Sequence, residues 1–334
     1  KSNKTEKNIE SSARFSVAPM MDWTDRHCRY FMRLISEHAV LYTEMITTGA
    51  IIYGDAHRHL QMHEAEQPVA LQLGGSNPED LARACKIASD YHYNEINLNC
   101  GCPSDRVQNG MFGAIMMKHA QTTADCVKAM VDAVDLPITV KHRIGVDDFD
   151  SYAFLCDFVG SVAAAGCDTF IVHARKAWLK GLSPKQNREI PELDYARVYQ
   201  LKRDFPALEI VINGGITDLA QSKTHLEHID GVMIGREAYT NPYLLAQVDQ
   251  QIYGSEKTIR NRKIIAEEFI QYVDNELSQD IRLQSMTRHI LGLFHGMPGA
   301  RQFRRHISEN AHKPNATIDV LMDALAKTIG KTDL

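Results

Sequence analysis

The chain has 334 residues, of which 44% are hydrophobic and 24% charged, and a formal net charge of −5. This is the profile of a globular protein long enough to bury a sizeable core. It excludes a chain that grips nucleic acid over its whole surface, which would be basic, and leaves only local patches for such contacts. No apolar run approaches the roughly 20 residues that span a bilayer. The seven cysteines, Cys28, Cys85, Cys100, Cys102, Cys126, Cys156 and Cys167, are odd in number and scattered. That argues against a disulfide framework and for a reducing, cytoplasmic setting. Cys100-Gly101-Cys102 has no second cysteine pair or nearby histidine pair, so no metal site is expected.

Residues 1–13 are polar and charged, without the apolar stretch of a secretory signal, and are expected to form a disordered tail. Phe15 to Met20 then reads as a strand, and Asp22 to Glu37 has helical periodicity. Further strands are expected at 39–45, 69–73, 94–99, 138–143, 170–174, 210–214 and 231–235. Helical patterns separate them at 48–61, 78–90, 124–134, 152–165, 194–205 and 219–226. Asn77-Pro78 is a helix start, with Asn as N-cap and Pro at the first helical position. Several strands are almost wholly apolar, as when both faces are buried. Eight strand-then-helix units within residues 14–253 predict an α/β fold, a (β/α)8 TIM barrel. A doubly wound sheet is the alternative, but no Gly-x-Gly-x-x-Gly follows any strand. Residues 254–334 carry no strand pattern. Helices at 259–277, 282–294, 300–310 and 316–329 predict a C-terminal all-helical domain.

In such a barrel the C-terminal strand ends form the site. Here they carry Pro19, Met20 and Met21, then Gln72, Asn99, Lys141 with Arg143, His173, Asn213-Gly214-Gly215, and Gly235-Arg236. The fourth strand runs into Cys100-Gly101-Cys102-Pro103, a turn made rigid by Gly and Pro around a thiol. A buried cysteine beside a turn would look the same. Gly-Gly turns let backbone N–H groups approach a phosphate, and a helix N-terminus behind adds a favourable dipole. Barrel phosphate sites follow strands seven and eight, where Gly214-Gly215 and Gly235-Arg236 fall. A lysine in the barrel mouth is costly unless it meets an anion, an electron-rich ring or an ion-pair partner. Gln72 and Asn99 offer amides to the edge of a planar heterocycle. Together these suggest FMN, with a nicotinamide donor reducing it at the same open site.

The motifs Ala18-Pro19-Met20-Met21-Asp22, Asn97-Leu98-Asn99-Cys100-Gly101-Cys102-Pro103, Lys141-His142-Arg143-Ile144-Gly145, His173-Ala174-Arg175, Asn213-Gly214-Gly215-Ile216 and Gly235-Arg236 resemble those of the tRNA-dihydrouridine synthases. The likeness covers residues 14–330, and the run His173 to Lys185 resembles the bacterial A-type branch, which acts on D-loop uridines 20 and 20a. The resemblance implies FMN as cofactor, NADPH as reductant, tRNA as substrate and a monomeric enzyme. It implies that Pro19, Met20, Met21, Gln72 and Lys141 contact the flavin ring. His173, Asn213, Gly214, Gly215, Gly235 and Arg236 would hold its ribityl phosphate, and Asn99 would neighbour both flavin and base. It also implies that reduced flavin delivers hydride to C6 of uracil while Cys102 protonates C5 from the opposite face. A thiol with an ordinary pKa near ~8.5 is protonated at neutral pH yet acidic enough to donate. Cys100 is the competing thiol, and strand alternation turns it to a different side.

Two basic clusters are candidates for the tRNA backbone, with Arg143 at the strand end between them and the thiol. Arg175, Lys176, Lys180, Lys185 and Arg188 lie after the sixth strand, around Trp178; Arg301, Arg304, Arg305 and His306 lie on a C-terminal helix. Charge runs like these also occur on plain solvated surfaces. Two other functions fit parts of the pattern. One is a flavin barrel acting on a free pyrimidine, such as a dihydroorotate dehydrogenase. The other is a non-catalytic RNA-binding barrel.

Overall fold

The computed structural model describes residues 14–329. The expected tail at 1–13 lies outside them. Eight parallel strands close into a barrel in sequence order: β1 (Phe15–Val17), β2 (Val40–Thr47), β3 (Val69–Gly74), β4 (Glu95–Cys100), β5 (Ile138–Arg143), β6 (Thr169–His173), β7 (Glu209–Asn213) and β8 (Gly231–Ile234), with β8 pairing back onto β1. The predicted TIM barrel is therefore the observed architecture.

Alternation along each strand divides its side chains between two environments. On β4, Ile96, Leu98 and Cys100 join the large core between sheet and helices. Glu95, Asn97 and Asn99 alternate with them and face the barrel interior. Part of the interior is a small apolar plug of Ala18, Val40, Tyr42, Ala70, Ile171, Val211 and Met233. Register does the rest: Asn99 pairs with Lys141, and Arg143, His173 and Asn213 pair in sequence across three adjacent strands. The polar residues of the strand ends thus arrive at one level.

After Val248–Gln251 the described residues are helical, with helices at Arg262–Leu277, Leu283–Thr287, Ala300–Asn310 and Asp319–Ile329. The expected helix at 282–294 is shorter than its periodicity suggests. It ends at Thr287 and leaves a 3-10 turn at Ile290–Gly292. The cause is tertiary: Gly292 lies so close to the barrel that a Cβ there would stand 2.5 Å from the Thr240 carbonyl oxygen. The helices dock on the first barrel helix, Arg26–Arg33. Arg26 pairs with Glu276, His27 Nδ1 lies 2.6 Å from the Tyr272 hydroxyl, and Asp25 accepts from Arg288 at 2.8 Å.

Candidate active site

A cleft of about 730 Å³ opens at the C-terminal ends of the strands. Pro19, Met20 and Met21 form part of its wall after β1, and Met21 is 56% exposed. Gln72, Asn99, Lys141, Arg143, His173, Asn213, Gly214, Gly215, Gly235 and Arg236 line it as well, together with Cys102. The structure therefore brings the thiol, the amides, the cation and both glycine turns into one space.

The turn after β4 is fixed from several sides. Asn99 Oδ1 accepts from the backbone N–H of Gly101 at 3.1 Å and of Cys102 at 3.0 Å. Arg143 Nε donates to the Gly101 carbonyl at 2.9 Å. The Cys102 carbonyl accepts from Ala114 N at 2.8 Å, and Gln108 Nε2 donates to both Pro103 O (2.9 Å) and Leu179 O (2.8 Å). Cys102 is partly exposed to the cleft, with its Sγ 3.6 Å from Ser104 Oγ. Cys100 is fully buried in the outer core, where burial drives its thiol pKa well up. Only Cys102 can meet a ligand in the cleft.

Lys141 Nζ donates to Asn213 Oδ1 at 3.2 Å, and Asn213 Nδ2 donates to Met233 O at 2.9 Å. Burial, with Arg143 adding to it, depresses the Lys141 ammonium to about 7. A cation held this way gains by meeting an anion. Burial and then the neighbouring Arg143 and Lys141 push His173 well below its ordinary value, so its ring is neutral. Gly214 and Gly215 have φ of +118° and +71°. A Cβ at Gly214 would stand 2.6 Å from His173 Cδ2, and one at Gly215 2.6 Å from Leu193 Cδ1. The turn must therefore be bare backbone. The helix behind it begins at Leu219 and is capped by Asp218, whose Oδ1 accepts from Gln221 N at 2.8 Å. This cap, not a free dipole, occupies that helix end. The helix after β8, Arg236–Thr240, begins at Gly235 with no side-chain cap.

Arg143 is buried, and its guanidinium also donates to Lys176 O (3.1 Å) and Asn187 O (3.0 Å). Arg236 is exposed and pairs with Glu189 at 2.6 Å. Of the predicted basic residues after β6, Arg175, Lys176, Lys180 and Lys185 lie outside the cleft lining. Arg175 donates to Pro191 O. Lys176 pairs with Asp150 at 2.7 Å and sits 4.2 Å above the Trp178 ring. Lys180 and Lys185 are exposed. Arg188 and Pro184 do reach the cleft. Arg301, Arg304 and Arg305 are exposed on the helix Ala300–Asn310, with Arg305 paired to Glu309 at 2.7 Å.

Three residues that shape this site carry no sequence signal. Gly113 packs against the Cys102 carbonyl. Asn187, fully buried, holds Trp178 through its backbone N and O. Trp23 lines the cleft and stacks on Tyr239 with centroids 4.3 Å apart.

A cleft of this size, with a backbone-only turn, a cation seeking an anion and amides above an apolar plug, fits a phosphorylated planar heterocycle. Among the described residues no cluster of His, Cys, Asp or Glu could hold a metal ion, and no helix is long and apolar enough to cross a membrane.

Comparison with known proteins agrees with this chemistry. The dihydrouridine synthase family model matches residues 16–329. The tRNA-dihydrouridine(20/20a) synthase of Vibrio vulnificus is 61% identical over 324 residues, covering 97% of this chain and 99% of that one. The protein of the same name from Escherichia coli strain K12 is 62% identical over 319 residues, covering 95% and 92%. Among solved structures, a 2-naphthoyl-CoA reductase complexed with 2-naphthoyl-CoA matches with a TM-score of 0.55 at 12% identity, over 71% of this chain and 50% of that one. That likeness concerns the fold alone.

Proposed function

The chain belongs to the dihydrouridine synthase family, and from that premise we propose that it reduces uridines 20 and 20a of the tRNA D-loop, with FMN as its flavin, NADPH as reductant and Cys102 as proton donor. The observation that carries the reading is the placement of one partly exposed thiol in the same cleft as the Gly214-Gly215 turn, Lys141, Gln72 and Asn99.

Bound flavin supplies the two-electron reduction of the uracil 5,6 double bond. Pro19, Met20 and Met21 form its apolar platform, and Gln72 and Lys141 meet the ring. His173, Asn213, Gly214, Gly215, Gly235 and Arg236 hold its phosphate end. Neutral His173 donates one hydrogen bond without adding charge, and Lys141 supplies the cation that favours an anionic ring. Cys102 delivers its proton to C5, held in place by Asn99 beneath the turn and Arg143 beside it. Asn99 contacts the base as well. A uridine must leave its stack to enter a cleft like this, a cost that a flexible tRNA loop lowers. Arg175, Lys176, Lys180 and Lys185 border the entry, and Arg301, Arg304 and Arg305 give a second basic surface for tRNA, in the helical domain that begins at residue 254.

The test is direct. Protein loaded with FMN is expected to be yellow, to bleach with NADPH, and to recover its colour on tRNA lacking dihydrouridine, with new dihydrouridine mapped to 20 and 20a. Turnover on free uridine or orotate without tRNA, or protein that takes up no flavin, would overturn the reading.

A further inference from the structure

The amide of Asn99 faces the catalytic turn with its oxygen, and a line of hydrogen bonds runs from its nitrogen toward the other end of the barrel. Asn99 Nδ2 donates to Gln72 Oε1 at 2.9 Å. Gln72 Nε2 donates to Asn97 Oδ1 at 2.9 Å. Asn97 Nδ2 donates to Thr139 Oγ1 at 2.8 Å, and Thr139 Oγ1 donates to Glu95 Oε1 at 2.7 Å. The Tyr42 hydroxyl donates to the same carboxylate oxygen. Five side chains thus form one unbranched line from the turn to a carboxylate near the barrel floor, and every donor in it points down.

A primary amide has two faces of similar shape, so each amide in the line has a flipped alternative. Flipping one leaves its neighbours donor against donor or acceptor against acceptor, so the three amides turn together or not at all. The two ends decide which way. Glu95 Oε1 accepts from the hydroxyls of both Tyr42 and Thr139, which leaves Thr139 Oγ1 to receive from Asn97 Nδ2. In the opposite sense Asn99 would point an NH2 group at the N–H groups of Gly101 and Cys102 and take away the side-chain acceptor of both in this partly buried turn.

We propose that Glu95 is a positioning residue: through Thr139, Asn97 and Gln72 it fixes the orientation of the Asn99 amide and so holds the Cys102 turn. The proposal rests on the reading that this turn carries the reacting thiol. The hydrogen-bond line itself depends on neither flavin nor tRNA.

Hydrogen exchange of the flavin-free full chain separates the two. In Glu95→Leu, which removes the terminal acceptor, and in Thr139→Val, which keeps shape and volume but breaks the line, the Gly101 and Cys102 amides are expected to exchange at least tenfold faster than wild type. Exchange at Leu98 and Val140, on the flanking strands, is expected to stay within twofold, which a general loss of stability would not allow. Glu95→Gln, which keeps an oxygen for both hydroxyls, is expected to restore slow exchange at the turn. If Glu95→Leu does not fold, Thr139→Val alone decides. Unchanged exchange at Gly101 and Cys102 in Thr139→Val, or fast exchange in Glu95→Gln, would overturn the proposal. Failure of the wild-type protein to reduce tRNA would strike the functional reading and leave these exchange rates as they are.

Discussion

Gly113 and Cys102 touch backbone to backbone: a Cβ added at Gly113 would stand 2.5 Å from the Cys102 carbonyl oxygen. Gly113 also has φ +78°, a conformation that other residues adopt only under strain. Gly113→Ala is therefore expected to push the Cys102 turn out of place while sparing the flavin cradle. A displacement on the scale of an ångström costs roughly 10²-fold in a positioned reaction. The variant is expected to keep its flavin and to lose about that much in uridine reduction. Flavin retained with full activity would show that the turn tolerates the shift.

Gly214 makes the same argument for the cofactor side. Its φ of +118° and the 2.6 Å approach of a Cβ to His173 Cδ2 leave no room for a side chain. Strain of about 1–3 kcal/mol corresponds to roughly 5- to 150-fold in affinity. Gly214→Ala is expected to weaken FMN binding by that range, measured by fluorescence titration. An unchanged Kd would remove the turn from the phosphate site.

Lys141 gives a pH dependence with a definite sign. Unfolded, its ammonium holds its proton up to its ordinary 10.5; folded without flavin it releases it near 7. Between these values the unfolded chain binds more protons, so stability rises with pH. The Tm of flavin-free wild type relative to Lys141→Met is expected to climb from pH 7 to pH 10. A flat difference would mean that the ammonium is not depressed. In the loaded protein, Lys141→Met is expected to lower the flavin midpoint potential, since it removes the cation beside an anionic ring.

Exposed Arg301, Arg304 and Arg305 share one helix. If they meet phosphates, the logarithm of tRNA affinity falls linearly with the logarithm of salt concentration, and replacing all three with Glu shallows that slope by about one per lost contact. Filter binding across a salt series measures this. An unchanged slope in the triple variant would assign tRNA contact elsewhere.

The barrel was legible because its strands are short apolar runs with helical patterns between them. Alternation puts Cys100 on the outer face with Ile96 and Leu98, but it does not separate Cys100 from Cys102, two positions on; the strand ends at Cys100 and the Gly101 turn brings Cys102 to the cleft. The glycine pairs after β7 and β8 were legible because barrel topology fixes where phosphate turns fall. What holds the site was not. Gln108 reaches Leu179, 71 positions along the chain, and Asn187 sits in a polar loop with no periodicity to mark it as buried. Arg143 reads as one more basic residue near the mouth, yet its guanidinium is spent on three backbone carbonyls. The helix at 282–294 was overestimated because its periodicity takes no account of the close approach of Gly292 to Thr240. For Gln108, Arg143 and Gly292 the partner comes from a distant part of the chain, and one segment does not encode it.

The central claim is that Cys102 is the proton donor, and single-turnover kinetics tests it most directly. Cys102→Ala with reduced flavin, mixed with tRNA lacking dihydrouridine, is expected to bind both and to form dihydrouridine roughly 10²–10⁴-fold more slowly than wild type. Cys100→Ala, altered only in the outer core, is expected to react at close to the wild-type rate. Wild-type single-turnover rates in Cys102→Ala would contradict the account.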